Sequence, residues 1–158
     1  MVLLYVMHFL DGGKVRVMKK LLWLDDFRRP EDFIKTGGNL DGDGNLDGSG
    51  KLDGDGGNGK VGAEYDITWV KNYEDFCSYI NANGLPDIIC FDHDLGEDKS
   101  GYDCAKFVVT YCQVHQLDIP EFEIQSSNVV GKENIRGVLN GWHRVFEAES
   151  GAAVGKAK

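Results

Sequence analysis

The stretch Asp87-Ile-Ile-Cys-Phe-Asp92 is a continuous apolar run with an acidic residue at each end. A short run of this kind is typical of a β-strand that is buried on both faces of a parallel sheet. Leu21-Leu-Trp-Leu24 is a second such run, and Asp25 and Asp26 follow it directly. The two runs therefore predict two central strands that end in carboxylates.

The rest of the chain alternates between strand and helix patterns. Further strands are predicted at residues 66–70, 120–124 and 142–146, and helices at residues 30–35, from the cap Asn72 to the break at Asn83, at 102–115 and at 131–139. Asn140-Gly141 is a typical helix stop, which leaves Trp142–Phe146 as the last strand. This alternation predicts βαβ units and an α/β fold with a parallel sheet of about five strands.

The chain length allows one domain. A chain of 158 residues can bury a proper core but is too short for two ordinary domains. We assign a single domain to residues 18–147, an N-terminal extension to 1–17 and a flexible tail to 148–158. Because Met18 precedes two lysines and the first buried-type strand, we expect the native domain to begin near Met18.

Residues 37–63 form a predicted insert of low complexity. It contains three six-residue units, Asn39-Leu-Asp-Gly-Asp-Gly44, Asn45-Leu-Asp-Gly-Ser-Gly50 and Lys51-Leu-Asp-Gly-Asp-Gly56. Ordering so much glycine costs a large backbone entropy. The residues from Asp43 match the first half of a calcium loop, but the twelfth position is Gly54 instead of the glutamate such a loop requires. We favour a flexible acidic loop, and weak Ca²⁺ binding is the alternative.

Charge and apolar content restrict the class of protein. A net charge of −9 disfavours an extended nucleic-acid surface, because phosphate backbones bind stripes of lysine and arginine. The four cysteines form no CxxC pair, which indicates reduced structural thiols. The apolar run at residues 1–10 lacks a basic leader and is too short to cross a bilayer. These features predict a cytoplasmic protein with no membrane partner.

Acidic residues end two of the predicted strands. Asp25 and Asp26 follow one strand, and Asp92, His93 and Asp94 follow another. If the strands are neighbours, these side chains converge at the carboxyl edge of the sheet, where α/β proteins bind ligands. Converging carboxylates repel one another unless a cation neutralises them, and oxygen ligands select Mg²⁺, Mn²⁺ or Ca²⁺. Solvated strand-end acids are the alternative, but two clusters favour a metal site.

The same residues resemble the receiver domain of response regulators. Asp92 stands at the phosphoacceptor position, and Ser126 matches the hydroxyl that contacts the phosphoryl group. The resemblance is more specific for the cyclic-phosphate-processing receiver family, through Trp23-Leu-Asp-Asp-Phe-Arg-Arg-Pro30, Phe91-Asp-His-Asp-Leu-Gly96, Gly101-Tyr-Asp103 and Ser126-Ser-Asn-Val-Val-Gly131. It covers residues 20–139 apart from the insert, and it implies a flavodoxin-like α/β fold, a three-layer sandwich around the parallel sheet.

This resemblance implies three groups of site residues. The metal ligands for Mg²⁺ or Mn²⁺ would be Asp25, Asp26 and Asp92. The catalytic residues would be Asp92, His93 and Asp94, with His93 as general acid or base and Asp94 either orienting it or joining the metal shell. The phosphate-binding residues would be Arg28, Ser126 and Asn128.

Each of these roles has a structural alternative. His93 could be hydrogen-bonded only to hold the strand end, and Ser126 and Asn128 could cap the following helix. Arg28 could form a solvated pair with the adjacent Arg29.

One departure from the family pattern bears on function. An ordinary receiver carries a lysine at the end of its last strand, and residues 142–146 offer only His143 and Arg144. The predicted function is therefore metal-dependent processing of a phosphoester, a cyclic phosphate on a small molecule or a nucleic-acid end, by a phosphoesterase. The alternatives are a non-catalytic receiver-like binding or regulatory module, and a phosphoacceptor receiver with Asp92 as acceptor.

Overall fold

A computed structural model describes residues 9–11, 14–16, 18–35 and 65–154, with side chains described for 18–32 and 65–151. The predicted insert at 37–63 lies outside the described residues, as do 155–158 and most of the predicted extension at 1–17. Within that extension, strands β1 (Phe9–Asp11) and β2 (Lys14–Arg16) pair in antiparallel fashion.

Among the described residues, the main sheet has four parallel strands. They are β3 (Lys19–Leu24), β4 (Tyr65–Val70), β5 (Ile88–Phe91) and β6 (Glu121–Ile124). The helices are α1 (Pro30–Lys35), α2 (Tyr73–Asn83), α3 (Gly101–His115) and α4 (Val129–Val154). The strand order β4-β3-β5-β6 follows the flavodoxin-like order, which confirms the predicted fold class with slightly fewer strands than the five expected.

The strand predicted at residues 142–146 is wrong, because α4 continues through Asn140-Gly141. Ile135 and Leu139 are fully buried on this helix, and Trp142 packs against the same core. Spacings of four and three residues keep one helix face towards the core, which outweighs the roughly 1 kcal/mol cost of a glycine inside a helix. Residues 148–154, expected in the tail, also belong to α4.

The two faces of the sheet carry separate apolar clusters. Leu22, Leu24, Ile89 and Phe91 face one side, where they pack with buried residues of α2, α3 and α4. Leu21, Trp23, Ile88 and Cys90 form the cluster on the other side. This alternation follows from the two-residue period of a strand and explains why both central strands read as continuous apolar runs.

The cysteines contribute to packing. Cys90, Cys104 and Cys112 are buried free thiols, and burial raises the pKa of the Cys112 thiol to about 11.

None of the helices in the described ranges combines the length and apolar character that a bilayer crossing requires.

The first residue of α3 packs closely against the residues that follow β5. The Gly101 amide donates a hydrogen bond to the His93 carbonyl at 2.9 Å. A Cβ atom at Gly101 would lie 1.8 Å from the Asp92 carbonyl oxygen, so only glycine allows this approach. The Ser100 amide donates to Asp103 Oδ2 at 2.9 Å, and this bond, aided by Lys106, lowers the pKa of Asp103 to about 2. Helix α3 thereby fixes the backbone that carries Asp92 and His93.

We predict that Gly101→Ala destabilises the protein by about 1–3 kcal/mol, because the backbone must move to relieve the overlap with Asp92. Urea unfolding measures the change. Gly137→Ala, in α4 with nothing within 4 Å of the added atom, is the matched control and should stabilise the protein by about 0.5–1 kcal/mol. Equal stability of the two variants would contradict the close approach.

Candidate metal and phosphate site

Two acidic residues lie side by side at the carboxyl edge of the sheet. Strands β3 and β5 are neighbours, with Leu24 opposite Phe91. The ladder continues one residue further, since the Asp25 amide donates to Val70 O at 3.1 Å and the Asp92 amide donates to Leu24 O at 2.9 Å. The convergence expected from the sequence is therefore present.

Asp25, Asp26 and Asp92 form a three-carboxylate cluster. One oxygen from each lies within 4.8 Å of the other two. Asp25 and Asp92 are buried, with 1% and 6% of their surface exposed, while Asp26 is exposed. A set of carboxylate oxygens that is open on one side fits a hard divalent cation such as Mg²⁺ or Mn²⁺.

The loop after β3 holds Asp25 in place. Its Oδ1 atom accepts hydrogen bonds from the Phe27 and Arg28 amides, and its carbonyl accepts one from Trp69 Nε1 at 2.7 Å. Burial raises the pKa of Asp25, although the bonds from Arg28 and Phe27 oppose the shift. The folded protein thus keeps a carboxylate where ionisation is costly, which is typical of a functional site.

Arg28 bridges the two buried carboxylates. Its Nε atom lies 2.8 Å from Asp25 Oδ2, and its terminal nitrogen lies 2.9 Å from Asp92 Oδ2. Burial alone lowers the pKa of Arg28, but attraction to Asp92 and Asp25 outweighs it and the pKa is raised. Because the side chain is about half exposed, Arg28 neutralises the cluster from its solvent side.

His93 belongs to a hydrogen-bonded group beside the three-carboxylate cluster. His93 Nδ1 lies 3.0 Å from Asp94 Oδ1, and Asn128 Nδ2 lies 3.3 Å from the same nitrogen and 3.4 Å from Asp94 Oδ1. The bond to His93 lowers the pKa of Asp94. An ionised carboxylate only accepts, so His93 donates from Nδ1 to Asp94 Oδ1, and Asn128 Nδ2 then donates to the same carboxylate oxygen and not to Nδ1. Asp94 thus contacts His93, and it is not part of the carboxylate cluster.

Asn128 and Ser126 connect His93 to α4. Asn128 Oδ1 accepts from the Gly131 amide at 2.9 Å, and Ser126 Oγ accepts from the Asn128 amide at 3.2 Å. A Cβ atom at Gly131 would lie 2.3 Å from the His93 ring, so the imidazole lies directly against this helix start. Asn128 therefore caps α4, Ser126 contacts the Asn128 backbone, and both side chains also contact the His93–Asp94 pair.

The sequence matches the family described as cyclic-phosphate processing receiver domain over residues 20–141. The chain belongs to this family. The match includes the cluster residues, the His93–Asp94 pair and the Ser126–Asn128 loop. A comparison with curated proteins gave no match.

Two solved structures are similar to this receiver domain at low identity. One is a fusion that carries the trimeric coiled coil of yeast Spc42, with 16% identity, a TM-score of 0.46 and coverage of 85% of this chain and 83% of the other. The second is the N-terminal domain of a response regulator/sensory box/GGDEF three-domain protein from Carboxydothermus hydrogenoformans. It has 16% identity, a TM-score of 0.38 and coverage of 84% and 99%.

Residues 142–146, which the sequence predicted as a last strand lacking the receiver lysine, do not form a strand that ends at the candidate site. In this receiver domain residues 142–146 are helical, and His143 Nδ1 contacts Asp118 at 2.9 Å. That contact raises the pKa of His143. His143 therefore has a partner in the α3–β6 loop.

Two residues next to the candidate site were not singled out from the sequence. Gly96 has a φ of +67°, and a Cβ atom there would lie 3.2 Å from Asp26 Oδ2. Gln125 directly follows β6 and is buried, and its backbone amide donates to the carbonyl of Phe91, the residue before Asp92. For Gln125 the sequence offered one signal: it is a polar residue directly after a predicted strand, as Asp92 is an acidic residue directly after another.

We predict that Arg28→Ala lowers the free energy of unfolding by about 1–3 kcal/mol, because Asp25 and Asp92 lose their shared counter-charge. The half exposure of Arg28 keeps the loss below that of a fully buried pair. Urea unfolding in the presence of a chelator measures it. Lys19→Ala removes an ion pair to Glu121 between two exposed side chains and should have almost no effect. Equal effects would contradict the counter-ion role.

Proposed function

We propose that this receiver domain is a metal-dependent phosphoesterase that hydrolyses a cyclic phosphate. One observation carries the proposal. The three-carboxylate cluster, the half-exposed Arg28 and the His93–Asp94 pair lie together at the carboxyl edge of the sheet. A cation site, a phosphate-binding group and a proton-transfer group are the three components that such a reaction requires.

Asp25, Asp26 and Asp92 would hold Mg²⁺ or Mn²⁺. A bound divalent ion supplies charge that polarises a phosphoryl oxygen. It would also remove the need for Arg28 to neutralise Asp25 and Asp92. The planar guanidinium fits two phosphate oxygens at once, so Arg28 would turn from the carboxylates to the substrate.

His93 would transfer the proton. Asp94 holds Nδ1, and among the described residues no hydrogen bond engages Nε2. In the hydrolysis, a water oxygen forms a new bond to phosphorus, and one ester bond of the ring breaks. The proton lost by the water ends on the departing oxygen, and His93 Nε2 is the group that takes it up or returns it. Asp94 would act as a positioning residue for His93.

The substrate would be compact. The net charge of −9 opposes binding along a nucleic-acid backbone, whereas a single phosphoester can be reached through a cation and Arg28. Ser126 Oγ and Asn128 Nδ2 lie next to the His93–Asp94 pair and would donate to phosphate oxygens. A phosphorylated small molecule or a nucleic-acid end is the ligand class that fits.

We predict hydrolysis of a 2′,3′-cyclic nucleotide in Mn²⁺ or Mg²⁺, with loss of activity in a chelator. Asp92→Asn should abolish turnover, and His93→Gln should lower kcat by about 10²–10⁴-fold. Asp66→Asn, an exposed acid at the opposite end of β4, is the matched control and should keep full activity. Product formation is followed by chromatography.

Turnover by Asp92→Asn at the rate of the unmodified protein would contradict the proposal. Absence of turnover in every metal, combined with a stable mass gain from acetyl phosphate that Asp92→Asn loses, would favour the phosphoacceptor alternative. Absence of both would leave the binding module.

A further inference from the structure

Gln125 is a buried residue whose side-chain nitrogen, Nε2, has no hydrogen-bond partner among the described residues. Only 9% of its surface is exposed. Buried side-chain amides are nearly always paired, because an unpaired donor loses its hydration and gains nothing in return. The orphaned donor therefore indicates a ligand atom that completes the site.

The backbone places Gln125 in the same row as the two buried carboxylates. Phe91 pairs with Ile124, and the Gln125 amide donates to Phe91 O at 2.8 Å. The Asp92 amide makes the equivalent bond to Leu24 O. Residues that are neighbours in register present their side chains on the same face, with strands about 4.8 Å apart. Asp25, Asp92 and Gln125 therefore follow one another across three strand ends.

The hydrogen-bonding chemistry of Gln125 Nε2 restricts the kind of ligand atom that can pair with it. Nε2 carries two hydrogens and can only donate, so it cannot bind a metal ion. The Asp92 carboxylate accepts from the His93 amide and pairs with Arg28, and it takes no hydrogen bond from Gln125 Nε2. The missing partner must be an acceptor, and the acceptor that belongs beside a cation site and an arginine is a phosphate oxygen.

We propose that the Gln125 amide donates a hydrogen bond to a phosphoryl oxygen of the bound ligand, from the side of Asp92 opposite Asp25. This deepens the proposed function and rests on it for the identity of the site. Gln125 is then a binding residue that holds the phosphoryl group between β6 and the Arg28 loop. Its neutral donor adds no charge to the cluster, so it does not compete with the cation for Asp92.

The test compares Gln125→Met, which keeps the length but removes the donor, with Gln113→Met, an exposed control in α3. The melting temperature of the ligand-free protein and the affinity for inorganic phosphate in Mg²⁺ are measured by calorimetry. Gln125→Met should melt at an equal or higher temperature, because an unpaired donor is removed, and should bind phosphate about tenfold more weakly. Gln113→Met should change neither.

Unchanged phosphate affinity in Gln125→Met would overturn the proposal, as would no binding by the unmodified protein. A lower melting temperature together with weaker binding would also overturn it, since the amide would then hold local structure. Weaker phosphate binding in a protein that hydrolyses no cyclic phosphate would support this inference while the phosphoesterase proposal fails.

Discussion

The pair of buried carboxylates at the ends of β3 and β5 is the constraint on which the rest of the site depends. Parallel pairing of two apolar strands forces Asp25 and Asp92 next to each other, away from most of the solvent. Like charges at this distance in a poorly hydrated place are costly, so a positive group must stand beside them. In this structure that group is Arg28.

The surrounding elements hold this arrangement with backbone contacts. Trp69 and Trp23 donate from their indole nitrogens to the carbonyls of Asp25 and Arg28, which fixes the loop after β3. Gly101 lets α3 approach the end of β5. The site is thus preorganised by the sheet and by helix starts, and the half-exposed Arg28 side chain would exchange partners if a cation bound.

The sequence was informative where one local pattern decided the outcome. Two apolar runs ending in acids predicted β3, β5 and the convergence of Asp25 with Asp92. The prediction failed at residues 142–146, because Gly141 is a stop signal only where no core contact continues, and Trp142 provides one. Gln125 was missed because an unpaired amide is a property of the folded environment. The ion pairs of Arg28 likewise depend on strand adjacency.

The most direct measurement is anomalous diffraction from crystals soaked in Mn²⁺. The account predicts a peak within about 2.5 Å of one oxygen each from Asp25, Asp26 and Asp92, with the Arg28 guanidinium moved away from the carboxylates. No peak at the cluster under saturating Mn²⁺, with Arg28 still bridging Asp25 and Asp92, would contradict it.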